Sequence, residues 1–287
     1  MRRVVRVFLA TVVLAGVSAV ALGACSWRID WPEHRLDVFI THESETERAG
    51  QGEQVEQGAS ADAVIVNDLG FEVRVDAAYL VTDTVTLLAC DEVDDPRDLP
   101  GFSLRTLTRA LLPSAHAHGP TTPTRLGTPH VEALVGASSR SSHPWRIGEF
   151  LPPPGDYCAV RLDVRAADDD AIGLPADVDM VGRTLYVRGT YLAPDEDAPN
   201  ENAPKPFELA TGAAFDIELD KVASTTGAAA PWSFPRSGAK TGRVILNKNM
   251  AAWFEGVDFT DADPEQTARA VLLNARESIE LDVELGS

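Results

Sequence analysis

The chain has 287 residues, of which 44 are acidic and 25 are basic, and its formal charge is −19 at pH 7. Hydrophobic residues make up 44% of the sequence, which is enough to fill a folded core and too many for a disordered chain. A nucleic-acid binder is excluded as a class, because neutralising phosphates requires a basic surface. The length is suited to one large domain or two small ones.

The first 24 residues have the layout of a secretory signal peptide. Three arginines lie among the first six residues, and an uncharged, mainly apolar run follows from 7 to 22. This run is shorter than the ~20 residues that a stable membrane span needs. The segment Leu22-Gly23-Ala24-Cys25 resembles the lipobox of bacterial lipoproteins.

The lipobox resemblance implies cleavage before Cys25 and attachment of palmitate-like acyl chains to that cysteine. The alternative is an ordinary secretory signal whose cleavage site happens to precede a cysteine. Ser26 stands where lipoproteins retained in the inner membrane often carry Asp. In a host with two membranes, the resemblance therefore implies an outer-membrane lipoprotein facing the periplasm or the cell surface. Cleavage removes three arginines and no acidic residue, so the formal charge falls from −19 to −22. Anionic lipids repel such a chain, and only the acyl anchor can hold it to the membrane.

Two cysteines, Cys90 and Cys158, remain in the mature chain. In an oxidising compartment, these two remaining cysteines predict one disulfide bond. A pair of thiolate metal ligands is the alternative, although the sequence lacks the CxxC spacing typical of such sites.

Residues 25–62 form the predicted lipid anchor and acidic tether, although the apolar residues at 36–40 could add a first strand. A single domain is predicted over 63–287. Short segments in which apolar and polar residues alternate predict eight to ten strands in this domain. These segments are 63–66, 71–77, 81–90, 157–164, 183–192, 207–210, 214–219, 244–246 and 278–285. The segments 207–210 and 214–219 are predicted to form a hairpin.

Two helices interrupt the strands in this prediction. A short one is expected within 104–112, and a stronger one begins at Asp263-Pro264-Glu265-Gln266, which offers an N-cap and a first-turn proline. The expected fold class is therefore mainly β: an antiparallel β-sandwich, Ig-like or a flattened barrel, with long loops and one C-terminal α-helix.

Four of the six histidines lie in a proline-rich excursion over 113–154, which predicts an irregular loop. His116 and His118 would point to the same face of an extended strand, and His130 and His143 could complete a site. Neutral imidazoles are suitable ligands for Cu or Zn, so the excursion predicts a transition-metal site. The alternative is a hydrated loop in which the histidines are merely polar.

The mature domain also resembles, faintly, the MbnP-like periplasmic copper-binding β-domains. The resemblance lies in early strands that end in a cysteine, a histidine-bearing middle and the later segment Gly155-Asp156-Tyr157-Cys158. It implies a β-domain that binds copper, and no ligand residues are carried over from that family.

Trp253 and Phe254 allow two interpretations. They could form an exposed aromatic surface for a sugar or a peptide, or they could close one end of the sandwich as core residues. We favour the core interpretation.

The sequence contains no GxSxG, HExxH, phosphate loop or dinucleotide fingerprint, so no enzymatic activity is predicted. The expected function is an envelope lipoprotein that binds Cu or Zn through its histidine-rich loop. The alternative is a metal-free structural module, or one that binds an envelope protein or a carbohydrate.

Overall fold

A computed structural model describes residues 33–43, 64–91, 120–135, 144–194, 203–220, 231–260 and 263–286. All of these residues belong to one unit, which spans 32–287. The signal peptide, Cys25 and the helix predicted within 104–112 lie outside the described residues. No helix in the described ranges is long and apolar enough to cross a membrane.

The described residues form thirteen strands, one α-helix and one short 3₁₀ helix. The strands are β1 Arg35–Glu43, β2 Val64–Val66, β3 Glu72–Ala89, β4 Arg125–Leu126, β5 His130–Val135, β6 Trp145–Phe150, β7 Gly155–Val164, β8 Leu185–Leu192, β9 Lys205–Thr211, β10 Phe215–Asp220, β11 Trp232–Phe234, β12 Thr241–Asn249 and β13 Ile279–Leu285. The 3₁₀ helix is Met250–Phe254, and the α-helix α1 is Pro264–Glu277.

The strands form two sheets. One has four strands in the order β13-β12-β1-β6, and the other has nine strands built around β10-β7-β3-β8-β9. In the larger sheet, β3 is the shared element, since β8 pairs with its first half and β7 with its second half. Every pairing between these strands is antiparallel except that of β1 with β12. The predicted fold class, a mainly antiparallel β-sandwich with a C-terminal helix, is confirmed for the described part of the chain.

The core lies between the two sheets and is built by the alternation of side chains along each strand. The smaller sheet contributes Val38 and Ile40 from β1 and Leu246 from β12, all fully buried. The larger sheet contributes residues such as Leu80 and Leu162, which belong to the same hydrophobic cluster. Burial of apolar side chains from both sheets in one cluster is what holds the layers together.

Two predicted boundaries need correction. The domain begins before residue 63, because residues 35–43, assigned to the tether, form β1 inside the four-stranded sheet. The excursion over 113–154 is not irregular throughout, since it contains β4, β5 and β6. Short strands flanked by prolines carry too little periodicity to be recognised in a single sequence.

Two predicted pairings also differ from the structure. The segments 71–77 and 81–90 are one continuous strand of 18 residues, β3, rather than separate strands. The hairpin predicted over 207–219 is wrong: β9 pairs with β8 and β10 pairs with β7, at opposite ends of the strand path. Which strands pair in a sheet depends on contacts between residues far apart in the sequence, and the local alternation of apolar and polar residues does not show these contacts.

The C-terminal helix begins as predicted. The Asp263 side chain accepts hydrogen bonds from the backbone N–H groups of Glu265 and Gln266, at 3.1 and 3.2 Å, and thereby caps α1. One face of the helix is buried: Thr267, Ala268, Val271, Leu272 and Ala275. This face packs into the core between the sheets.

Trp253 and Phe254 are fully buried, so the proposed exposed aromatic surface is wrong and the core interpretation is correct. The indole Nε1 of Trp253 donates to Ser278 Oγ at 3.0 Å, which satisfies its polar atom inside the core. The neighbouring Asn67 side chain is also buried; its Nδ2 donates to the backbone oxygens of Phe254 and Val257, at 3.1 and 2.8 Å. These contacts link the 3₁₀ helix to Ser278, the residue after α1, and to Asn67 between β2 and β3.

Cys90 and Cys158 form a disulfide, which confirms the predicted pairing. Cys158 lies in β7, and Cys90 follows the last residue of β3, so the bond joins two adjacent strands of the larger sheet. Its sequence separation is 68 residues, and this chain segment includes β4, β5 and β6.

We predict that replacing both cysteines, Cys90→Ala with Cys158→Ala, lowers the free energy of unfolding by up to about 4 kcal/mol, the chain-entropy value for a loop of this length. Urea unfolding of the purified protein measures the change. Dithiothreitol should destabilise the wild type similarly and leave the double variant unaffected. Equal stability of the wild type and the double variant would contradict the prediction.

Candidate functional site

The structure describes one of the four histidines proposed as metal ligands. His116, His118 and His143 lie outside the described residues. His130 is the first residue of β5 and is buried, with its ring packed edge-on against Trp145 at a centroid distance of 5.4 Å. Burial lowers the pKa of His130 and outweighs the opposing effects of Glu132 and of a hydrogen bond to the Ile147 backbone. His130 therefore belongs to the sandwich rather than to an open loop.

No group of three or more His, Cys, Asp or Glu side chains in the described part of the chain is placed to hold a metal ion. His130 is not joined to such a ligand set there. His116, His118 and His143 lie outside the described residues, so a metal site formed by them stays a prediction.

The described residues contain a different polar site, which the sequence analysis missed. Four side chains, Lys248, Glu132, Thr82 and His42, meet inside the sandwich, and we call them the buried ionic cluster. His42 and Lys248 come from β1 and β12 of the smaller sheet, whereas Thr82 and Glu132 come from β3 and β5 of the larger one. The cluster therefore bridges the two sheets.

Lys248 lies at the centre of the cluster. Its Nζ donates to both carboxylate oxygens of Glu132, at 2.6 and 2.9 Å, and contacts Thr82 Oγ1 at 2.9 Å. The Thr82 hydroxyl in turn donates to Glu132 Oε1 at 2.5 Å. His42 Nε2 lies 3.5 Å from Glu132 Oε2. The amine and the hydroxyl thus contact the Glu132 carboxylate directly, and the imidazole lies 3.5 Å from it.

Strand alternation places these side chains. Along β1 the inward positions Val38 and Ile40 lead to His42, and along β12 Val244 and Leu246 lead to Lys248. His42 and Lys248 are also direct partners in the parallel β1–β12 register. In the pairing of β3 with β5, Glu132 lies opposite Leu80. Leu80 and Thr82 are two residues apart on β3, so their side chains point to the same face.

This alternation contains a sequence signal that could have found the site. A lysine or histidine that continues an apolar alternating row falls at an inward position, where a charge is rarely tolerated without a partner. The row 244–248 carries this signal at Lys248, and the row 36–42 carries it at His42.

Burial controls the electrostatics of the cluster. The side chains of Lys248 and Glu132 are 1% and 0% exposed. Desolvation at this depth lowers the pKa of the Lys248 amine, while the carboxylate of Glu132 acts in the opposite direction. Because an isolated charge at this depth is very costly, each group depends on the other.

His42 is neutral at pH 7. Burial lowers the pKa of His42 to about 4, against the opposing effect of the Glu132 carboxylate and with a smaller lowering from Lys248. Its Nδ1 atom has no hydrogen-bond partner among the described residues. The neutral ring can carry its proton on Nε2, the atom that faces Glu132.

His34, by contrast, is a structural residue whose two ring nitrogens are both used. Its Nδ1 accepts a hydrogen bond from the backbone N–H of Lys240 at 3.1 Å, and its Nε2 donates to the Pro235 oxygen at 2.9 Å. A surface cleft of about 420 Å³ lies beside this link. Within the cleft Asp156 and Lys240 both hydrogen-bond to Ser233.

Comparisons with known proteins give no relatives for this chain. No protein-family model matches it, and neither does any curated protein or solved structure. The resemblances to lipoproteins and to copper-binding β-domains therefore stay predictions, and the site can be judged only by its own geometry.

We predict that His42 makes stability depend on pH. A histidine that is neutral in the fold and titrates near pH 6.5 when unfolded contributes stability that is complete above about pH 6.5. This contribution is lost as the pH falls towards 4, by up to about 3 kcal/mol. Urea unfolding of the wild type and of His42→Gln between pH 7.5 and 4 measures it.

The difference between the two curves isolates His42, because His130 and the carboxyl groups titrate in both proteins. The wild type should lose more stability on acidification than His42→Gln. Parallel curves would mean that His42 titrates alike in the folded and unfolded states.

Proposed function

We propose that this protein is an exported lipoprotein, held in the cell envelope by acyl chains on Cys25, whose β-sandwich is a non-enzymatic binding module. The Cys90–Cys158 disulfide is the observation that carries the proposal, because such bonds form and persist in oxidising compartments. The signal-like first 24 residues and the segment Leu22-Gly23-Ala24-Cys25 independently favour export and acylation.

The charge of the domain supports a position outside the bilayer with a protein as its partner. The mature chain has a formal charge of −22 if Cys25 becomes its first residue, so anionic lipid repels it. Glu280, Asp282 and Glu284 line the exposed face of β13, at the edge of the smaller sheet. An acidic edge resists the addition of further strands and attracts basic surfaces. We propose a basic envelope protein as the partner and the outer membrane as the location.

The anchor is tested by replacing the acylated residue. Cys25→Ser should abolish palmitate incorporation and move the protein from the membrane fraction to the soluble fraction of the native host, because one hydroxyl cannot form the thioether. Ser26→Ala is the matched control and should stay labelled and membrane-bound. Unlabelled wild-type protein, or protein that keeps its leader in the cytosol, would contradict the proposal.

A second candidate function, the capture of Cu or Zn, is favoured by the His116-Ala117-His118 segment. His130 is left out of this proposal because it lies inside the sandwich. The site would use His116 and His118, with His143 as a further ligand, to hold or hand over the metal ion.

Competitive titration of the purified protein with Cu or Zn tests this candidate. The double variant His116→Ala with His118→Ala should weaken binding at least tenfold, because two imidazole ligands are lost. Ser114→Ala, in the same segment, should bind like the wild type. No saturable site in the wild type, or equal affinity in the double variant, would exclude the candidate.

A further inference from the structure

We propose that Lys248 and Glu132 condense to form an amide bond that covalently joins the two sheets. The structure brings the amine and the carboxyl into direct contact at a fully buried position between strands of different sheets. This inference is independent of the acyl anchor and of metal binding.

The geometry brings the reacting atoms within reach. Because Nζ contacts both carboxylate oxygens, at 2.6 and 2.9 Å, it lies close to the carboxylate plane and about 3 Å from the carboxyl carbon Cδ, which is the separation of a near-attack arrangement. A change about the Cβ–Cγ bond of Glu132 would tilt the carboxyl group and present the face of Cδ to the amine. Rigid strands hold both side chains, so little freedom remains to be lost before reaction.

The reacting pair needs no external proton. An ammonium with a carboxylate and an amine with a carboxylic acid contain the same number of protons, and one transfer along the 2.6 Å contact converts the first into the second. Burial disfavours the charged pair and therefore favours the neutral amine, which is the nucleophile.

Thr82 is placed to complete the proton balance. Its hydroxyl contacts Nζ at 2.9 Å and donates to Oε1 at 2.5 Å, so it links the atom that loses protons to the oxygen that leaves. The Nζ–Cδ bond forms and the Cδ–Oε1 bond breaks. Two protons from the ammonium depart with Oε1 as one water molecule, and no oxidant or reductant is required.

His42 is placed to stabilise the intermediate. Negative charge develops on Oε2 when Nζ adds to Cδ, and His42 Nε2 lies 3.5 Å from that oxygen. This separation is longer than a hydrogen bond, so the ring has to approach Oε2 as the charge develops. A neutral ring with its proton on Nε2 would then donate to the oxyanion, and a donor in a water-excluded site is far more effective than in water. Lys248 is thus the nucleophile, Glu132 the electrophile, Thr82 the proton relay and His42 the oxyanion donor.

The surroundings favour the product. The pair is 1% and 0% exposed, which limits the access of water for the reverse reaction. Condensation also removes the ammonium–carboxylate form of the pair, whose desolvation is costly, and leaves one neutral amide. The result would be a second covalent link, which joins β12 to β5, in addition to the disulfide between β3 and β7.

Peptide mass spectrometry of the full chain tests the inference. The protein is denatured, reduced and digested with trypsin, which cleaves after Arg125 and Arg140 and after Arg243 and Arg269. We expect no cleavage after Lys248. Peptide 126–140 should instead be joined to peptide 244–269 at the sum of their masses minus one water molecule.

Two variants test the roles of the amine and of the hydroxyl. Lys248→Arg keeps the ion pair but removes the nucleophilic amine, so it should fold and give unlinked peptides. Thr82→Val keeps both reacting groups and should lower the linked fraction at least tenfold. Unlinked peptides from the folded wild type, or the same loss of water in Lys248→Arg, would overturn the inference, and an unchanged linked fraction in Thr82→Val would overturn the role of Thr82.

Discussion

Apolar burial holds the two sheets together, and the contact between Lys248 and Glu132, as an ion pair or as the proposed amide, is the interaction on which their relative register depends. Both groups are removed from water, and neither has a comparable charge partner among the described residues of the cluster. A register shift of one residue in β12 or β5 would turn one of them to the opposite face and leave the other buried and unpaired. The pair therefore fixes both the register of these strands and the face of the sheet on which their side chains lie. Apolar residues alone specify these two features less strictly.

Other contacts hold together the strands and loops that surround this central pair. The disulfide joins β3 to β7 within the larger sheet, and His34 links the start of β1 to the segment before β12. Asn67 and Trp253 connect the 3₁₀ helix to the segment between β2 and β3 and to the residue after α1. Each of these contacts satisfies buried polar atoms or closes a long loop, so together they restrict how the strands can slide.

Local patterns in the sequence predicted those features that depend on neighbouring residues. The cap at Asp263, the buried face of α1 and the alternation of β13 all follow from short-range periodicity. The pairing of β9 and β10 with distant strands and the continuity of β3 do not, because they are decided by which strands meet in the sheet. The inward position of Lys248 was readable from alternation, but its partner could not be identified for the same reason. Lys248 and Glu132 are 116 residues apart, and no pattern in a single sequence shows that they face each other.

A double-mutant cycle on Lys248 and Glu132 tests this central claim most directly. The free energy of unfolding is measured for the wild type, Lys248→Met, Glu132→Leu and the double variant. Each single variant leaves one buried group without its partner and should lose about 3–5 kcal/mol. The double variant should be more stable than the sum of the two losses predicts, with a coupling free energy above about 2 kcal/mol. Additive losses would show that the two side chains do not depend on each other and would contradict the account.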